Sequence, residues 1–152
     1  MVSSSSRKAK ILLIDDDPAM VRLLTKFVER AFGDRTLIES LTDPREARAR
    51  LNESVVDILI TDLEMPGISG LELLRSAKRR NAFTQVLFIT GQSSQDALLD
   101  ALELGATDYL LKPVEHDGFL ELIEQALLRH QRWRVALSET WREPVANVKD
   151  FL

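Results

Sequence analysis

The sequence predicts an α/β fold: a doubly wound, five-stranded parallel sheet with helices on both faces and an extended C-terminal helix. Three observations predict it. Short apolar runs alternate with amphipathic helical runs from Lys10 to about residue 128, and strand alternating with helix implies parallel strands joined by right-handed crossovers. The first, third and fourth of those runs are apolar on both faces, which suits strands covered by helices above and below. No internal repeat or linker interrupts the alternation.

The strand-like runs are 11–14, 36–39, 55–60, 86–89 and 109–111. The second is the most polar, as an edge strand would be. Between the first two, Val21, Leu24, Phe27, Val28 and Ala31 fall at helical spacing, and Gly33 follows as a C-terminal stop. Asp43 and Pro44 read as an N-cap followed by proline at the first helical position. Leu71, Leu74, Ala77 and Lys78 continue a third helix, residues 96–104 form a fourth stopped by Gly105, and residues 119–128 begin a fifth. Residues 1–8 read as a flexible tail, 9–130 as one domain and 131–152 as a helical extension or linker.

Composition bounds the function. The chain has 152 residues, 45% hydrophobic and 29% charged, enough for one domain with a real core. A net charge of −4 lacks the basic excess of a nucleic-acid surface, so no direct nucleic-acid contact is expected. The absence of cysteine removes disulfides, thiol nucleophiles and the commonest structural zinc sites. No apolar run is long enough to span a bilayer, and no signal-peptide core follows the Ser-rich start, so a cytoplasmic protein without membrane insertion is expected.

In doubly wound sheets ligands bind at the carboxyl ends of the strands. The first strand is followed by Asp15, Asp16 and Asp17, the third by Asp62, the fourth by Thr90 and Gly91, and the fifth by Lys112. On one sheet edge these converge. Two carboxylates about 4 Å apart repel by roughly 4 kcal/mol at an effective dielectric near 20, so the cluster demands a cation. Oxygen-only ligands favour a hard ion such as Mg²⁺ or Mn²⁺, which completes its shell with water and phosphate oxygens. A carboxylate can also be a phosphoryl nucleophile. One of these carboxylates would then be the acceptor, with Lys112 neutralising phosphoryl oxygens, and the Thr90 hydroxyl and backbone N–H groups near Leu63 and Gly91 donating to them. Taken singly, each residue has a plainer reading: the aspartates as helix caps, Lys112 as a solvated charge beside a turn, Thr90 as a strand residue.

The stretches Ile11-Leu-Leu-Ile-Asp-Asp-Asp-Pro18, Ile60-Thr-Asp-Leu-Glu-Met-Pro-Gly-Ile-Ser-Gly70, Phe88-Ile-Thr-Gly91 and Tyr109-Leu-Leu-Lys-Pro-Val114 resemble the response-regulator receiver family of two-component phosphorelay signalling. The resemblance covers roughly residues 8–130. It implies a flavodoxin-like strand order 2-1-3-4-5 and a signalling switch rather than an enzyme, limited to Mg²⁺-dependent self-phosphorylation and slow autodephosphorylation. It implies Asp62 as phospho-acceptor, Asp15 and Asp16 as the acidic pair, and metal contacts from Asp16, Asp62 and the Glu64 backbone carbonyl. Thr90 becomes the switch hydroxyl, Tyr109 the aromatic that turns with it, and Lys112 the family lysine, often before a cis proline bond. The implied partners are a sensor histidine kinase or phosphotransfer protein, and the implied output face lies on the fourth helix, fifth strand and fifth helix, about residues 94–128. Without the resemblance, Tyr109 reads as a half-buried strand aromatic with a wet hydroxyl. Glu64 and Gln92 are positions where the family tunes phosphate lifetime.

Two related folds fit less well. An aspartate-nucleophile phosphohydrolase resembles Asp-x-Asp-x-Thr/Val after the first strand, and here the fifth position is Ala19. A dinucleotide-binding domain needs a glycine-rich first turn, where this chain has three aspartates that would repel pyrophosphate. A degenerate receiver that only binds protein is disfavoured by the complete acidic, hydroxyl and lysine set. Beyond residue 128, Ile123, Ala126, His130, Trp133 and Leu137 continue a heptad-like stripe among Arg129, Arg132, Arg134 and Arg142, and Trp133 and Trp141 share a helix face until Pro144 ends it. Three readings stand for this tail: a homodimerisation helix with contacts at Trp133, Leu137 and Trp141, a helix packed on its own domain, or a signalling helix leading to an output domain outside this sequence. The arginines read as a solvated face.

Overall fold

The computed structural model describes residues 7–91 and 95–140. Gln92, Trp141, Arg142, Pro144 and the first six residues, all singled out above, lie outside the described residues. In order, β1 (Ala9–Ile14), α1 (Pro18–Phe32), β2 (Thr36–Leu41), α2 (Pro44–Glu53) and β3 (Ile58–Thr61) are followed by α3 (Gly70–Arg80), β4 (Gln85–Thr90), α4 (Gln95–Glu103), β5 (Asp108–Leu111) and α5 (His116–Thr140). The strands form one parallel sheet in the order β2-β1-β3-β4-β5, as the resemblance implies.

Strand alternation sorts the core into two layers. Ile11, Leu13, Ile58, Ile60, Leu87 and Ile89 face α1 and α5, where they meet Leu24, Val28, Phe119 and Ile123. Leu12, Ile14, Leu59, Val86 and Phe88 face the other side, against Leu51 of α2, Leu73 and Leu74 of α3, and Ala101 of α4. Burial on both faces is why these runs are continuously apolar. β2, the polar run, lies at an edge and is buried only in part.

Helix starts follow their caps. Asp17 and Asp43 accept from the N–H two residues on and precede Pro18 and Pro44, and Ser69 accepts from Glu72 N. One strand start and the form of one helix stop differ from expectation. β3 starts at Ile58 rather than 55, because Thr84 Oγ1 takes the Val56 carbonyl at 2.7 Å and the Asp57 side chain takes Lys10 N–H at 2.8 Å. The Asp57 backbone still bonds Lys10 and Gln85 at 2.9 and 3.0 Å, so the side-chain bonds add to the first backbone bonds at the strand entry. Gly33 does follow α1, but at φ −61° it is not a left-handed cap. Thr36 Oγ1 and Arg35 N instead satisfy the Phe32 carbonyl at 2.8 and 2.9 Å. Gly105 is a left-handed stop, at φ +101°, with Ala106 N–H on the Ala101 carbonyl.

The fifth helix begins at His116 and runs 25 residues without a break, about 37 Å at 1.5 Å per residue, so it passes through the expected boundary at residues 130 and 131. Its stripe faces its own domain: Ile123 and Ala126 are buried, and the Trp133 ring lies 5.5 Å from that of Phe83. Gln85, at the start of β4, donates to the Ala126 carbonyl at 2.8 Å and accepts from Arg129 at 2.7 Å. Arg129 is therefore bound to the domain, not part of a solvated face. No described helix is long and apolar enough to cross a membrane.

Candidate functional site

β1 and β3 are adjacent and parallel, with Ile14 opposite Thr61, so the residues after each strand emerge side by side. Asp15 and Asp62 are thereby brought together at the carboxyl edge, 2% and 8% exposed, while Asp16 is exposed. One carboxylate oxygen from each of Asp15, Asp16 and Asp62 lies within 4.8 Å of the others. Capping of α1 falls to Asp17, which leaves the preceding pair for the site; Asp17 N–H donates to Asp15 Oδ1 at 2.9 Å and fixes that side chain.

Lys112 closes the cluster from β5. Its Nζ donates to Asp15 Oδ2 at 2.9 Å and to Asp62 Oδ2 at 2.8 Å. Its N–H donates to the Thr90 carbonyl at 2.8 Å, so the ends of β4 and β5 are tied where it turns in. The Lys112–Pro113 bond is cis. Burial works against the lysine's charge, but the Asp15 and Asp62 carboxylates outweigh it and hold its pKa above the ordinary value. Burial also pushes the Asp15 carboxyl up, against the opposing pull of Lys112 and the Asp17 N–H, and the Asp62 charge adds to the rise.

The loop after β3 is held close to Asp62. Glu64 N–H donates to Asp62 Oδ1 at 3.2 Å, and the Glu64 side chain is exposed. Gly70 N–H donates to the Leu63 carbonyl at 2.9 Å. A Cβ on Gly70 would meet Asp62 O at 2.2 Å and Phe88 Cε1 at 2.9 Å, so only glycine lets α3 start against the Asp62 backbone.

Thr90 ends β4 fully buried, and Gly91 follows it, on the strand adjacent to β3. Tyr109 stands opposite Phe88, away from the carboxylates, with its side chain 55% exposed. It borders a cavity of about 400 Å³ under α4, with Phe88, Leu98 and Leu102. The structure thus brings together Asp15, Asp16, Asp62 and Lys112, puts Thr90 and Gly91 on the next strand end, and keeps Tyr109 outside the cluster. Sequence reading did not single out Asp17 among the aspartates as the cap, and it assigned no role to Gly70. Gly70 closes a quoted motif, which was its one signal.

The donor set is three carboxylates and one ammonium, all oxygen ligands on the acidic side, and it suits a hard divalent cation such as Mg²⁺ or Mn²⁺. Asp15 and Asp62 are too buried for water alone to screen their repulsion.

A family description, response regulator receiver domain, matches residues 11–124. The chain is 30% identical over 136 residues to the DNA-binding transcriptional regulator NtrC of Klebsiella pneumoniae, covering 90% of this chain and 28% of that protein. It is 35% identical over 120 residues to the response regulator protein PilR of Pseudomonas aeruginosa, covering 79% of this chain and 26% of PilR. The chain therefore spans little more than a quarter of the length of these relatives. A CheY-like response regulator receiver domain from Methanospirillum hungatei superposes with a TM-score of 0.76 at 25% identity, over 83% of this chain and 98% of that one. With the strand order and the edge cluster, these matches establish that the chain belongs to the response regulator receiver domain family of two-component phosphorelay signalling.

Proposed function

We propose that this receiver accepts a phosphoryl group on Asp62 from a sensor histidine kinase or phosphotransfer protein. The observation that carries the reading is the bridging Lys112 ammonium, 2.9 Å from Asp15 and 2.8 Å from Asp62, inside a cluster of three carboxylates. A bare carboxylate cluster repels a phosphoryl donor; one with a built-in cation and room for a second attracts it.

An Asp62 carboxylate oxygen attacks phosphorus in line. The bond from phosphorus to the donor imidazole nitrogen breaks, its electron pair stays with the imidazole, and an acyl phosphate forms. Asp62 loses its own charge in that step, and Lys112 turns from the carboxylate to the phosphoryl oxygens. Asp15, Asp16, Asp62 and the Glu64 carbonyl would hold Mg²⁺ or Mn²⁺, which supplies charge neutralisation for those oxygens when bound. The Thr90 hydroxyl and the Gly91 N–H donate to the phosphoryl group. Movement of Thr90 lets Tyr109 turn into the neighbouring cavity, and the α4–β5–α5 face changes. The 400 Å³ beside Tyr109 leaves space for that turn.

The signal then passes to a partner or to an output domain, in keeping with relatives that are full regulators. In this reading residues 9–130 are the receiver, residues 1–8 a tail and residues 131–152 an extension or linker. The protein works in the cytoplasm as a switch with slow autodephosphorylation.

Incubation with acetyl phosphate and Mg²⁺, followed by intact mass, tests the reading. A single phosphoryl mass is expected on the wild-type chain, absent with EDTA and absent in Asp62→Asn. Retention of the added mass in Asp62→Asn would overturn it.

A further inference from the structure

The opposite edge of the sheet carries a second cavity, of about 290 Å³, between the C-terminal half of α5 and the starts of β3 and β4. Arg7, Asp57, His130 and Arg134 contribute its charged and titratable groups. Phe83 and Trp133 form much of its apolar wall.

The polar groups in this cavity are unevenly satisfied. Asp57 has partners: it accepts Lys10 N–H at 2.8 Å and an Arg7 N–H at 3.5 Å. His130 Nε2 is buried and has no hydrogen-bond partner among the described residues. Its nearest carboxylate oxygen, on Asp57, is 4.0 Å away, too far for a hydrogen bond. Buried polar atoms are nearly always paired, with protein, water or ligand. Arg134 also makes no hydrogen bond or ion pair among the described residues and is only half exposed. Arg7 and Asp57 cancel each other, so among the described residues the lining keeps one uncompensated positive charge, on Arg134, next to the unpaired imidazole nitrogen. Burial lowers the His130 pKa, and Arg134 and Arg7 lower it further against the pull of Asp57.

The other side of the cavity is aromatic. The Phe83 and Trp133 rings are tilted by 55° at 5.5 Å, and Trp133 is 52% exposed, which leaves ring surface for a further planar group. Among the described residues, a cation without a partner, an unpaired imidazole nitrogen and an open aromatic wall within one cavity match a planar apolar body with an anionic end.

We propose that this cavity binds a small aryl anion, an aromatic carboxylate or aryl phosphate, with its charge on Arg134 and His130 and its ring against Trp133 and Phe83. The ligand would bridge α5 to the base of β3 and β4. It would thereby hold the distal half of that helix on the domain, at the end of β4 opposite Thr90. The proposal does not depend on phosphorylation of Asp62.

Four probes separate charge from ring: benzoate, phenyl phosphate, acetate and benzyl alcohol. Each is titrated into the full chain at pH 7 while the His130 imidazole and Trp133 indole NMR signals are followed. Benzoate or phenyl phosphate is expected to shift both signals and saturate below about 10 mM. The stronger of the two identifies the anionic group. Acetate lacks the ring and benzyl alcohol lacks the charge, so each should bind at least about tenfold more weakly. Arg134→Gln should weaken the aryl anion by about tenfold, the loss of one charge-assisted hydrogen bond. No saturable shift with either aryl anion, binding of acetate or benzyl alcohol equal to benzoate, or unchanged affinity in Arg134→Gln overturns the proposal. If Arg134→Gln does not fold, the probe comparison on the wild-type chain decides alone.

Discussion

Asp15 is the carboxylate with most to lose from folding. It is 2% exposed, lies beside the Asp62 charge, and shares one ammonium with it. Burial is the main reason its pKa is raised. For an acid raised in this way, the folded protein is penalised as pH climbs from the ordinary value through the folded value, and the penalty stays in place at neutral pH. Asn at this position keeps the oxygen that accepts Asp17 N–H and removes the buried charge. Asp15→Asn is therefore expected to melt a few degrees above the wild-type chain in EDTA at pH 7, with the gap closing at pH 3 and shrinking when Mg²⁺ is added. Thermal melts with and without Mg²⁺ check this; a lower melting temperature for Asp15→Asn in EDTA would sink the idea. This site was legible in the sequence because its members follow four different strands, and strand ends in a parallel sheet meet on one edge. Two things were not legible. The split between a buried Asp15 and an exposed Asp16 depends on how the chain turns after Ile14, and the outward pose of Tyr109 depends on the space under α4.

At the scale of elements, the start of α3 does the most for the site. Its cap, Ser69, and its first residue, Gly70, sit on the loop that carries Asp62 and Glu64. A methyl group at Gly70 would have to displace the Asp62 carbonyl or the Phe88 ring, both in the interior. Gly70→Ala is expected to cost about 1–3 kcal/mol in urea unfolding and to slow phosphorylation of the folded fraction, since the acceptor shifts with the loop. Unchanged stability would mean that the loop gives way freely. Where caps and periodicity gave a bound, it fell within a residue of expectation, as at the start of α2 and at both ends of α4. β3 did not, because an apolar run cannot disclose that Asp57 and Thr84 will take backbone partners by side chain. The early start of α5 at His116 was likewise hidden by a polar first turn.

For the molecule as a whole, the question is where α5 directs its distal half. The sheet has a carboxylate cluster at one edge, and at the other edge the clamp of Gln85 on Arg129 and Ala126. Beyond that clamp, Trp133 contacts Phe83, which favours packing on the domain over a free linker; Val135 and Leu128 remain exposed on the helix and leave a surface for a second copy. The two arrangements differ in concentration dependence. An aromatic contact within one chain gives a coupling of about 0.5–1.5 kcal/mol in a Phe83→Ala, Trp133→Ala double-mutant cycle. That coupling should be the same at protein concentrations about a hundredfold apart, because no subunit association enters the unfolding equilibrium. Urea unfolding of the four proteins at both concentrations measures it. A coupling near zero would remove Phe83 as the partner of Trp133. A coupling that grows with concentration, together with a dimer by sizing, would assign Trp133 to an interface between copies, and the packing on Phe83 would then hold in the separated chain alone.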